Sequence, residues 1–200
     1  MNSKFVDHGL QEDRYLKAIK LIERFETEIE RQLKHTVKEI VSENPELFSR
    51  DSDDSKLDHS ARRFYASVMA YAITNYPMNR YASDEQDADR LKLSLMIHWD
   101  EPSALGHDGG DGSLAVTSLR IKNASDADHQ KVKQRTQEDD WPSIHFGDDP
   151  WDTTPGLFYI PVETAEDLEC AHKTLRDHFG EYGAEYGVAQ DNSASDENSL

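Results

Sequence analysis

One apolar stripe constrains this chain more than any other feature. Tyr15, Ile19, Ile22, Phe25, Ile29, Leu33, Val37 and Ile40 cover 25 residues in seven steps, a mean of 3.57. That period lies between the coiled-coil and straight-helix values and marks one helix face. Leu16 and Val41 widen the stripe, and pairs such as Glu30 and Lys34 occupy the other face at i,i+4 spacing. Asn44-Pro45 should end the helix, because the residue before a proline disfavours the α conformation. A helix of about 30 residues is ~45 Å long and needs another element to cover its stripe.

The pattern after it predicts that element. Asp53, Asp54 and Ser55 offer an N-cap, and Leu57, Ala61, Phe64, Val68, Ala72 and Ile73 repeat at helical spacing. Tyr65, Met69, Tyr71 and Tyr76 broaden this second stripe, and Tyr76-Pro77 would close it. The expectation is a helical hairpin over residues 1–77, then a polar linker over 78–90.

Residues 91–186 read as an α+β domain. Leu91, Leu93, Leu95, Ile97 and Trp99 alternate with polar residues, the period of a half-buried strand. Leu114–Lys122, Trp141–Phe146 and Leu157–Val162 are three further expected strands. Ser125 with Asp128, and Thr164 with Asp167, carry helix-start signatures. The order is ααββαββα, a four-stranded antiparallel sheet with helices on one face. Residues 187–200 read as a disordered acidic tail.

Charge narrows the function. Across successive quarters of the chain the net charge runs −1, −3, −5 and −9, to a total of −18. Such a surface repels phosphates, which argues against direct binding of nucleic acid or anionic membrane. It suits a solubilising role, a basic protein partner, or mimicry of nucleic-acid charge. The single cysteine, Cys170, cannot form an internal disulfide. No basic-then-apolar leader opens the sequence and no 18-residue apolar run occurs, so the expected compartment is the cytoplasm.

Two constellations carry candidate chemistry. Glu138, Asp139, Asp140, Trp141, Asp148, Asp149, Trp151 and Asp152 form a strip of acids and aromatics that could dock Lys or Arg of a partner. The alternative use of those tryptophans is to anchor loops to the core. The loop after the first expected strand holds His98, Asp100, His107, Asp108 and Asp111, whose donors suit Mg, Mn or Zn. Its spacing matches no EF-hand, and a solvated turn is the reading the pattern favours. Hydrolase elbows, P-loops, dinucleotide-binding glycines and HExxH are missing from the sequence.

The expectation is a non-enzymatic interaction or regulatory protein without a cofactor. It would self-associate through its N-terminal helices and meet a basic protein partner through its acidic body. The alternative is an enzyme or binding domain holding a divalent metal in the His98–Asp111 loop.

Overall fold

The computed structural model describes residues 14–48, 69–100, 114–149 and 152–189. Among them it shows three helices and a six-stranded antiparallel sheet, an α+β fold. Helix α1 spans Arg14–Glu43, α2 Asp126–Glu138 and α3 Ala165–Tyr182. The strands are β1 Met69–Tyr81, β2 Arg90–Asp100, β3 Leu114–Lys122, β4 His145–Asp149, β5 Asp152–Pro161 and β6 Val188–Ala189. Across the sheet they run β4-β5-β3-β2-β1-β6.

The expected second helix is corrected over its last part. Residues 69–81 form β1, which pairs antiparallel with β2 from Met69 opposite Trp99 to Tyr81 opposite Arg90. A short apolar run rich in β-branched and aromatic residues suits a buried strand as well as a buried helix, and periodicity alone does not separate them. Pro77 is tolerated because the β1–β2 register breaks on either side of it. The expected linker at 78–90 therefore falls on the end of β1 and the turn into β2. The leading part of that expected helix, residues 57–68, lies outside the described residues. The sheet has six strands rather than four, and the observed order is αβββαββ followed by α3 and the two-residue β6.

Other local signals hold. Helix α1 stops at Glu43, where Asn44 turns its side-chain amide back to donate to the Ile40 carbonyl at 2.8 Å. Ser125 caps α2 by accepting from the Asp128 backbone N–H. Thr164 and Asp167 form a reciprocal capping box at the start of α3, and those bonds hold the Asp167 carboxyl below its ordinary range. Asp140 takes φ 52° just past the end of α2, the left-handed turn that commonly terminates a helix.

Strand alternation sorts the core. Leu91, Leu93, Leu95 and Ile97 of β2, Leu119 and Ile121 of β3, and Phe158 and Ile160 of β5 share one cluster with residues of all three helices. From α1 come Ile29, Leu33, Val37 and Ile40; from α2, Val132; from α3, Leu168, Ala171, Leu175, Phe179 and Tyr182. The other sheet face carries a second cluster, Met96, Val116, Leu157 and Tyr159, to which no described helix residue belongs. No described helix is long and apolar enough to cross a membrane.

Candidate functional site

Helix α1 has two halves in different surroundings. From Ile29 onward its stripe is packed on the sheet and α3, with Leu33 and Ile40 fully buried. The same stripe continues towards the N-terminus with Ile19 half-buried and its other large apolar residues exposed. Tyr15 is 66% exposed, Leu16 55%, Leu21 69%, Ile22 49% and Phe25 40%. The Phe25 ring lies 5.8 Å from that of Trp99 in the body. Single exposed apolar residues are ordinary, whereas a contiguous row of large ones on one element marks an interaction surface.

The rear half is locked in place by a buried polar bridge. His172 of α3 lies between Thr36 of α1 and Thr117 of β3, with Nδ1 3.0 Å from Thr36 Oγ1 and Nε2 3.1 Å from Thr117 Oγ1. Burial pushes the His172 imidazole down to about 4, so the ring is neutral at neutral pH. A neutral imidazole has one N–H, so it donates to one of the two hydroxyls; each hydroxyl also lies within donating distance of a carbonyl, Thr36 of Gln32 at 3.1 Å and Thr117 of Met96 at 3.2 Å. Outside this bridge, Arg176 of α3 pairs with Glu39 at 3.0 Å and Glu43 at 3.2 Å, joining the two helices at the surface.

The acid-and-aromatic strip comes out as follows. Glu138 and Asp139 end α2, Asp140 forms the turn, and Trp141 follows half-buried. The Trp141 indole N–H donates to the Tyr182 hydroxyl at 3.1 Å, and that hydroxyl donates to Asp139 Oδ2 at 2.7 Å. Burial, then the bond to Asp139, raises the Tyr182 phenol above its ordinary value. Trp141 also meets the His178 ring edge-on at 5.4 Å. His178 Nε2 stands 2.8 Å from Thr136 Oγ1, which gives its own proton to the Val132 carbonyl, so the ring donates at Nε2. Bases of the same helix sit beside the acids: Arg135 reaches Glu185 at 2.9 Å and Asp139 at 3.8 Å, and Lys131 reaches Glu185 at 3.2 Å. Asp148, Asp149 and Asp152 lie on the β4–β5 hairpin, with Asp149 opposite Asp152. Trp151 lies outside the described residues.

Of the metal candidates, His98 is fully buried on β2, on the sheet face opposite the helices and directly across from Val116. Burial pushes its imidazole down to about 4. Asp100 closes β2, and His107, Asp108 and Asp111 lie outside the described residues. No group of three His, Cys, Asp or Glu side chains able to hold a metal occurs among the described residues.

Sequence reasoning missed the pairing of His172 with Thr36 and Thr117, and of His178 with Thr136. Their partners are 136, 55 and 42 residues away, so no local motif announces them. No family model, curated protein or solved structure matches the chain.

Proposed function

We propose that the protein is a non-enzymatic association module whose docking element is the open half of α1. The observation that carries this reading is the continuity of one apolar stripe from the packed rear half of α1 into a front half where Phe25, Ile22 and Tyr15 are exposed. Burying such a row removes apolar area from water, worth about 25 cal/mol per Å² before the costs of association.

The acidic body would act as a filter on partners. On the outward face of α3, Glu166, Glu169, Asp177 and Glu181 are exposed with one base, Lys173, among them. With a net charge of −18, the chain favours a basic protein surface and repels polyanions. The strip at Glu138–Trp141 belongs to this second surface.

A photo-activated cross-linking amino acid tests the reading. It is placed at Ile22 and, as a control, at Lys173, in cells that make the protein. Adducts to protein formed from position 22 and not from the control support the docking role. No adduct from position 22, or equal labelling from both positions, refutes it.

A further inference from the structure

We infer that the occupant of the open α1 surface is a second copy of this chain, laid antiparallel across it. The inference rests on the docking role proposed above and deepens it by naming the partner.

Spacing is the first observation. Tyr15, Ala18, Ile22, Phe25 and Ile29, the last already packed on the body, advance in steps of 3, 4, 3 and 4, with the half-buried Ile19 beside Ala18. In the packed half, Ile29, Leu33, Val37 and Ile40 advance in steps of 4, 4 and 3, a mean of 3.67. The alternation of 3 and 4 is the heptad pattern that sets a seam facing one other helix. The front half therefore suits a single rod laid along it.

Charge is the second observation. Residues 14–22 hold three bases, Arg14, Lys17 and Lys20, and no acid; residues 23–30 hold four acids, Glu23, Glu26, Glu28 and Glu30, with Arg24 as the one base. A parallel pair of these helices would set base against base and acid against acid. An antiparallel pair sets the basic end of each copy against the acidic end of the other, which favours that orientation.

Size matching agrees. With the two-fold axis at residue 20, Tyr15 faces Phe25 of the second copy and Ala18 faces Ile22, so the small residue meets a large one in two of the four layers. Leu21 of each copy flanks the axis.

Sedimentation equilibrium of the full chain over a concentration series is the first measurement. The expected mass rises from 22.8 kDa towards twice that value. Ile22→Asp, at an exposed position away from the core, should hold the mass at the monomer value with an unchanged circular dichroism spectrum. A native mass of one chain at every concentration overturns the inference, as does doubling that survives Ile22→Asp.

Orientation is read by disulfide trapping in a Cys170→Ser background. Tyr15→Cys mixed with Phe25→Cys should form a mixed dimer, while each variant alone forms none. Self-cross-linking of either variant alone, or no cross-link in a protein of doubled mass, overturns the antiparallel register. A monomer that still forms position-22 adducts with another protein would remove the second copy and leave the docking role standing. A monomer with no such adduct removes both.

Discussion

Acid should unfold this protein well above the pH at which its carboxylates titrate. Four histidines, His98, His129, His172 and His178, are buried, and in each desolvation is the largest cause lowering the imidazole from 6.5 to about 4. Above 6.5 the ring is neutral in both the folded and unfolded chains, and the stability contribution is fully present. As pH falls below 6.5 the unfolded chain takes up a proton that the folded chain refuses. Stability then drops by about 1.4 kcal/mol per pH unit for each ring, until about pH 4, where the folded rings also charge and the loss stops. Between about pH 7 and about pH 5.5 each ring removes about 1.2 kcal/mol, and four acting independently remove about 5 kcal/mol. A domain of ordinary stability has about 5–15 kcal/mol in total. With a urea slope of about 2 kcal/mol per molar, the unfolding midpoint should fall by about 2.5 M. Urea titrations followed by far-ultraviolet circular dichroism at the two pH values, in high salt to screen the acidic surface, measure this directly. A midpoint that moves by less than about 0.5 M would show that the four rings are not buried as neutral groups, and the reasoning would fail.

Three further outcomes are expected. Gly156 has φ +113°, and a methyl group there would overlap the His129 ring, so Gly156→Ala should lower stability by about 2–3 kcal/mol; an unchanged urea midpoint would contradict that packing. Thr36→Val leaves His172 Nδ1 without its hydroxyl and should cost about 1–3 kcal/mol, whereas Thr27→Val, an exposed threonine on the same helix, should cost under about 0.5 kcal/mol in the same titration. Cys170 is exposed on α3 and should react with a thiol reagent in the native protein, one label per chain; labelling that waits for denaturant would place that face of α3 elsewhere.

What the sequence shows well is what short-range chemistry decides. The end of α1 at Asn44-Pro45, the bounds of β3 at Leu114–Lys122, and the caps at Ser125 and Thr164 each depend on residues within a turn of one another. Strand β1 reads as a helix because Met69–Tyr76 carries apolar side chains in both the helical and the strand period, and only its pairing with β2 selects between them. β6 escapes because two residues give no period, and its place depends on Arg80 and Tyr81, more than a hundred residues earlier. The stripe of α1 was legible from end to end, but not the point at which it parts from the body. That point depends on where the sheet and α3 stop, and no residue in the helix encodes it.

The Thr36–His172–Thr117 bridge has a mechanical consequence. It clamps the rear of a rigid rod between a helix and a strand, so the direction in which the free length points is decided before anything arrives. In the proposed pairing, a rod held at one end would meet its counterpart with little orientational entropy left to lose, which would favour even a small contact. Loosening the clamp would leave every side chain of the contact in place and still weaken it, because each copy would then have to find its aim again.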